Sequence, residues 1–455
     1  MKPILFRIYL AGMLLLLIFH PFIGKSQSGP LDKYLRQGLE SNLALKQKDG
    51  DVSGAIYSLK MARQLFQPTV SFQGSYQTGS GGRSIALPVG DLLNPVYQSL
   101  NQMIGSNKFP TITNAEQDFL PVHFSDFRIR TTMPLINTEI KFSREIESQK
   151  VEVEKLNLEG LRLELTCDIK VAYYNYLNAL KVTGIYESAL KLANENARTN
   201  ERLQQNGKGL PAYVLRARSE VDNTAARLLE AQAAVENAAL YFNFLLNRER
   251  GLAIDTAFDI TAALRDAKAM INAELQVTDR AELKALRAGV HVRGLVAEMS
   301  RRYWMPKLNA FFDLGVQAQR FAFNDRSRYY NAGIQLEIPL FDGRRNLLRV
   351  KQVQIQETQS KLALEENEKR LYVSVAIAKN KLLSTYQNYL ASLKSVESAA
   401  SYHRLIERGF KEGVHSFLEE TDARNLLTAA QLQASLQEFN LLIAAANLQR
   451  ETTLK

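Results

Sequence analysis

Five histidines, His20, His123, His291, His403 and His415, are the residues of this 455-residue chain best suited to bind a metal or carry a proton. None stands in an HExxH motif or at any paired ligand spacing. The single cysteine, Cys167, excludes a disulfide scaffold and every multi-cysteine zinc or iron–sulfur site. It lies in a helical pattern and reads as a packing residue. No Gly-rich phosphate loop follows a strand pattern, and no Ser/His/Asp grouping can be assembled. The expectation is therefore a non-enzyme with no cofactor and no metal site. The chemistry left is that of surfaces: rows of polar side chains at strict spacing, which could line water or solvate a permeant molecule.

Those rows occur in four segments. From Thr69 to Gln77, Val70, Phe72 and Tyr76 alternate with Ser71, Gln73, Ser75 and Gln77. Phe127, Ile129, Thr131 and Met133 alternate with Arg128, Arg130 and Thr132. Leu308, Ala310, Phe312, Leu314, Val316 and Ala318 alternate with Asn309, Asp313, Gln317 and Gln319, Phe311 being the exception. Tyr330, Ala332, Ile334, Leu336 and Ile338 alternate with Asn331, Gln335 and Glu337. Period two over about ten residues is the strand signature, and a tilted transmembrane β-strand has that length. A half-buried sheet of a soluble protein has the same alternation. In the membrane reading, Ser71, Gln73, Arg128, Arg130, Asn309, Asp313, Gln317 and Glu337 line a lumen. Val70, Phe72, Ile129, Leu308, Phe312, Leu314, Ile334 and Leu336 then face lipid. Tyr303, Trp304, Tyr329 and Tyr330, at strand ends, fit a membrane-interface belt or ordinary packing.

Very long helices must position these strands. The stretches 135–210, 212–305 and 340–455 contain no proline, the strongest helix breaker. Leu158, Leu161, Leu165, Ile169, Ala172 and Tyr176 step by three and four. Ala217, Val221, Thr224, Leu228, Ala231, Val235, Ala238, Phe242 and Leu245 do so without a miss, as do Leu371, Val375, Ala378, Leu382, Thr385 and Tyr389. Such a row is a coiled-coil seam or the core stripe of a helical bundle.

The chain also repeats itself. Pro134 to Gly209 is 75 residues and Pro339 to Gly413 is 74, each run ending at a glycine pair that reads as a helical hairpin tip. Residues 1–26 read as a signal peptide, with Lys2 and Arg7 before the apolar run Leu10 to Phe19 and small Gly24 and Ser26 before the cut; a membrane anchor is the other reading. Its removal with Lys25 takes the formal charge from +10 to +7, and an exported chain is not a nucleic-acid binder. Repeat 1 spans 27–250, with a helix 31–66, strands 69–78 and 124–134, and a helical hairpin 135–250 whose tip is near 207–211. An equatorial linker occupies 251–277. Repeat 2 spans 278–455, with a helix 278–305, strands 307–319 and 329–339, and a hairpin 340–452 whose tip is near 409–414. The halves differ mainly in 79–126, a long insert read as structureless, of a kind that is usually functional or mobile. A helix of about 75 residues is roughly 110 Å long, enough to cross a compartment. Four strands cannot close a transmembrane barrel, so the geometry calls for an oligomer.

This order of elements resembles the TolC-type outer-membrane efflux proteins over essentially the whole chain after the signal. The patterns that carry it are Gly38-Leu-Glu-Ser-Asn42, Asp279-Arg-Ala-Glu-Leu-Lys284, Met133-Pro-Leu-Ile136 and Ile338-Pro-Leu-Phe-Asp-Gly343. Leu87-Pro-Val-Gly-Asp-Leu92 resembles the long first loop of Bacteroidetes-type members. The resemblance implies a mainly α fold with a small β part: a TolC-like homotrimer sharing a twelve-stranded barrel, four strands per chain, over a periplasmic α-helical tunnel. It implies an exit duct in the cell outer membrane, docked to a periplasmic adaptor (membrane fusion) protein and an inner-membrane pump of an efflux or type I secretion system. A soluble periplasmic coiled-coil scaffold or adaptor is the alternative. The resemblance also marks a periplasmic gate at the second tip, Gly413-Val-His-Ser-Phe-Leu-Glu419-Glu-Thr-Asp422. Glu419 and Asp422 match acidic gate positions and share a helix face at i and i+3, and Phe410 matches an aromatic one. At the first tip Leu215 stands where an acid is common, with Arg216 and Arg218 nearby. An ordinary solvated helix turn is the other reading of these residues.

Overall fold

The structure, a computed structural model, describes residues 29–119, 122–272 and 280–452. The signal peptide over 1–26 and Asp279 of the second-repeat motif lie outside the described residues. The fold is mainly helical. In chain order it runs α1 (Pro30–Ser41), α2 (Leu43–Gln64), β1 (Thr69–Thr78), β2 (Ser84–Leu87), α3 (Val89–Ile104), β3 (Ala115–Asp118), β4 (His123–Ile136), α4 (Thr138–Gln205) and α5 (Pro211–Leu245). It continues with α6 (Ile260–Ile271), α7 (Ala281–Arg301), β5 (Lys307–Gln319), β6 (Arg328–Glu337), α8 (Arg345–Lys411) and α9 (Phe417–Glu451). No helix among the described residues is long and apolar enough to cross a membrane.

Two compact units share the chain, each drawing on both halves of the sequence. One comprises the described residues of Met1–Gly54, Glu152–Ala288 and Lys361–Lys455; the other comprises Ala55–Val151 and Gly289–Ser360.

The first unit is helical. Its seams are buried because residues at three- and four-residue spacing return to one helix face. Ile169 and Leu382 are fully buried, and Ala217, Ala231, Phe242 and Leu245 join them. One core patch joins Ala267 of α6, Val375 and Leu382 of α8, and Leu441, Ala444, Ala445 and Leu448 of α9. An aromatic knot holds α1 to α4 and α5: Tyr34 packs edge-on against Phe242 at 5.0 Å, and Tyr173 lies 5.6 Å from Phe242. Gly38 permits that approach, because a Cβ there would stand 2.3 Å from the Ile169 side chain. Cys167 is buried here against Asn447, and burial pushes its thiol up to about 11, which leaves it unreactive.

Two expectations are corrected, and the linker gains a helix. The helix 31–66 is broken at Asn42, whose backbone leaves the helical region with ψ 130°. Its side-chain oxygen accepts from the N–H groups of Ala44 and Leu45 and caps α2, while its Nδ2 donates to the Leu245 carbonyl. The insert 79–126 is folded rather than structureless. β2 and β3 pair antiparallel, and α3 is tied to the returning chain by asparagines: Asn94 bonds both the N–H and the carbonyl of Ile112, and Asn101 those of Phe109. The linker 251–277 carries a helix, α6, opened by Asp259, whose carboxylate accepts from the Ala262 N–H. Strand limits differ slightly: β4 runs to Ile136 through an irregularity at Pro134, and β6 ends at Glu337, before Pro339.

The second unit contains an antiparallel sheet in the order β1-β4-β5-β6, so β1 and β6 are its open edges. Ser71 stands opposite Arg130, Arg130 opposite Asp313, and Asp313 opposite Asn331. One step along, Phe72, Ile129, Leu314 and Tyr330 form the next row. Because successive side chains alternate faces, this register gathers the polar residues of all four strands on one face and the apolar residues on the other.

Candidate functional site

Two places combine chemistry with placement: the polar face of the sheet and the turn between α8 and α9. On the sheet, Ser71, Gln73, Arg128, Arg130, Asn309, Asp313, Gln317 and Glu337 share the polar face by register. Arg130 grips Asp313 with two hydrogen bonds, Nε to Oδ1 at 2.7 Å and Nη2 to Oδ2 at 2.5 Å, and its guanidinium lies 5.7 Å from the Phe311 ring centre. Asp313 is 0% exposed, a burial that a charge tolerates only when paired. Arg128 donates to Gln73 and approaches Asp126, which accepts from the Tyr329 hydroxyl at 2.8 Å. Tyr329 therefore belongs to the polar network. The face is a charge-paired, water-compatible lattice rather than a row of loose polar groups.

The opposite face exposes large apolar side chains. Phe72 is 72% exposed, and Val70, Phe312, Leu314, Ile334 and Leu336 are exposed around it, with Ile129 alongside and Leu308 half-buried. Contiguous apolar exposure of this extent marks a surface meant for lipid or for another protein. At one end of this face Phe321 stacks on Tyr76 at 5.4 Å, Phe323 lies 5.9 Å from Phe127, and Tyr76 is hydrogen-bonded to His123. Arg320 and Phe321 adopt left-handed backbone conformations, φ 47° and 58°, that fold this loop back.

At the second tip, Gly413 takes φ 77° to end α8, and Gly409 leaves room for the His415 ring, which a Cβ would meet at 2.3 Å. Ser416 then caps α9. Its hydroxyl accepts from the Glu419 N–H, and the Glu419 carboxylate accepts from the Ser416 N–H at 2.7 Å, a reciprocal capping box. Hydrogen bonds from the Ser416 backbone and hydroxyl, with His415 close by, hold the Glu419 carboxyl below its ordinary value. Asp422 is exposed on the same side of α9. Phe410 is half-buried. Like Tyr213, it packs against the cluster of Ala197, Ala217 and Phe417 where the two hairpin tips meet. At the first tip, Arg218 pairs with Glu201 at 2.8 Å, while Arg216 and Leu215 are exposed.

A buried polar knot behind this turn escaped sequence reasoning. Glu420, one residue past Glu419, points inward. It accepts from Asn196 Nδ2 at 2.6 Å and lies 3.8 Å from both His403 and Arg424. Asn200 donates to the Asn196 side chain. The knot ties α4, α8 and α9 together. Its signal was present: Phe417, Glu420 and Arg424 step by three and four, so two charged residues occupy a seam. Among the described residues, no group of His, Cys, Asp and Glu could hold a metal ion.

Residues 273–452 match the family model described as Outer membrane efflux protein. The alkaline protease secretion protein AprF of Pseudomonas aeruginosa is 22% identical over 291 residues, 63% of this chain and 60% of AprF. The chain thus aligns with about 60% of that relative's length. Among solved structures, CusC superposes with a TM-score of 0.75 at 14% identity, covering 93% of this chain and 91% of CusC. The Campylobacter jejuni CmeC outer membrane channel gives a TM-score of 0.72 at 13% identity, covering 93% of this chain and 85% of that one. The fold is that of these channels.

Proposed function

We propose that this chain, which carries an outer membrane efflux protein domain over residues 273–452 on a TolC-type channel fold, is a passive exit duct in the outer membrane. The observation that carries the reading is the two-faced sheet. It has an apolar exposed face, a charge-paired polar face and two unpaired edges. In hydrocarbon, open edges leave backbone N–H and C=O groups without partners, so a four-stranded sheet cannot sit in a bilayer alone. Copies joined β6 to β1 remove every edge. Eight strands give a barrel filled by its own side chains; twelve, from three chains, leave a conduit lined by Arg128, Arg130 and their neighbours. The two sequence repeats each supply two strands and one helical hairpin to it. A soluble scaffold would need another protein to cover this apolar face, whereas the channel fold favours lipid.

The helices then form the periplasmic part, which meets an adaptor protein and an inner-membrane pump. The channel moves cargo down a path that the pump energises and performs no chemistry itself. AprF is a secretion protein and CmeC an outer membrane channel, and both kinds of traffic fit a polar, charge-paired lumen.

In this reading the α8–α9 turns of three chains face one axis, and Glu419 and Asp422 form a ring of carboxylates that draws cations. The Glu419→Ala, Asp422→Ala variant should lose cation selectivity and divalent-cation block in single-channel recordings, while Glu412→Ala changes neither. The capping hydrogen bonds favour the ionised Glu419 carboxyl and so oppose its protonation on acidification. Wild-type selectivity should therefore fade only when the pH is low enough to protonate the ring. Unchanged selectivity and block in the double variant would reduce this face to a solvated helix turn.

A further inference from the structure

We infer that the second unit carries a binding site for an anionic phospholipid headgroup, of the class with one or two phosphodiesters and no ammonium. The inference rests on the transmembrane reading of the sheet. The site is an open groove of about 630 Å³ between the end of α2 and the first turns of α4, its polar lining exposed. Arg63 enters from one side and Lys141 and Arg144 from the other. Lys141 and Arg144 are three apart and so project from one face of α4. Among the described residues none of these three cations is paired with a carboxylate, in contrast to Lys307, which holds Glu139 at 2.9 Å. The groove contains one carboxylate, Glu145, so its three cations leave a net charge of +2. The Ser148 hydroxyl supplies a further donor.

Position selects the ligand. Phe66, on the groove wall, is three residues before β1 begins, and Ile140, also on the wall, is four residues after β4 ends. The groove therefore lies at the base of the strands, where a periplasm-facing leaflet would place its phosphates. The same level carries other interface marks. Trp304, three residues before β5, is 63% exposed, and Arg302 lies over Phe142, 5.4 Å from its ring centre. Exposed tryptophan beside cations is the composition of a membrane boundary. Leu59, Phe66 and Ile140 add an apolar wall, which suits the glycerol and first methylenes of a lipid and has no use in a site for free phosphate. An ammonium-bearing headgroup would bring a fourth positive charge among three.

The test uses native mass spectrometry on the full-length protein extracted in mild detergent from outer membranes. Delipidated protein is offered phosphatidylglycerol or phosphatidylethanolamine of identical acyl chains. Wild type should retain phosphatidylglycerol about tenfold more than phosphatidylethanolamine, and Lys394→Gln, on α8 in the other unit, should keep that preference. Arg63→Gln with Lys141→Gln and Arg144→Gln should abolish it, and Ser148→Trp, which fills the groove, should do so if the triple variant does not fold. Equal retention of the two lipids by wild type overturns the site, as does a preference that survives groove filling. Complete displacement of phosphatidylglycerol by millimolar inorganic phosphate would show a site for free anions and overturn the lipid assignment. A chain absent from outer membranes defeats the duct reading itself; a chain present there without lipid preference defeats only this inference.

Discussion

Arginine at Phe72 or Leu314 should prevent stable assembly in the outer membrane, whereas arginine at Ser71 or Gln317 should be tolerated. Phe72 and Leu314 are both aligned with Ile129 in one cross-strand row of exposed apolar residues. In the proposed barrel that row meets hydrocarbon, where an arginine near the midplane costs about 2–4 kcal/mol per chain. Symmetry applies the cost in every copy. Ser71 and Gln317 lie on the face that already accommodates Arg128 and Arg130, where a new guanidinium finds water and carboxylates. Immunoblots of outer-membrane fractions for oligomer resistant to mild detergent would read the difference. Equal loss in both pairs would reject the assignment of faces.

The second large effect concerns the buried knot at Glu420. Glu420→Leu should destabilise the helical unit by about 3–5 kcal/mol, the range found when one partner of a buried charge pair is removed. Arg424 and His403 would remain behind with side chains only 6% and 14% exposed and without the carboxylate that lies 3.8 Å from each. The companion variant separates lost attraction from stranded charge. Adding Arg424→Leu to Glu420→Leu should recover much of the loss, because a buried pair replaced by apolar residues is often neutral. Urea unfolding of the detergent-extracted protein, followed by helical circular dichroism, measures both. A single variant within 1 kcal/mol of wild type would show that water already screens the knot. Since Glu420 adjoins Glu419, loosening it should also disturb the turn that presents the acidic ring.

Which parts of this architecture could be read from sequence follows from the range of the interactions. The alternating strands and three-and-four seams are local patterns set by burial of one face, and both survive in the structure as the two-faced sheet and the buried stripes. Asn42 was harder. A polar residue inside a helical pattern reads as surface, and only the Leu245 carbonyl, over two hundred residues away, reveals it as a junction. The insert hid its helix behind Pro88, Gly90 and Pro95, although Val89, Leu93, Val96, Leu100 and Met103 step by four and three. At the second tip the resemblance drew attention to Glu419 and Asp422. The buried Glu420 depends on Asn196 and His403, brought from two other helices, and no local pattern encodes those contacts. The packing of Phe410 is equally illegible locally, because the cluster it joins draws Ala197 and Ala217 from the other hairpin.

The most direct measurement is the mass of the protein released by mild detergent from outer membranes already washed in high salt. A sheet with two open edges and an exposed apolar face should stay with the membrane through the wash and leave it as a complex of three chains. Recovery in the salt wash, or release by detergent as a stable folded monomer, would contradict a shared transmembrane barrel and with it the exit duct.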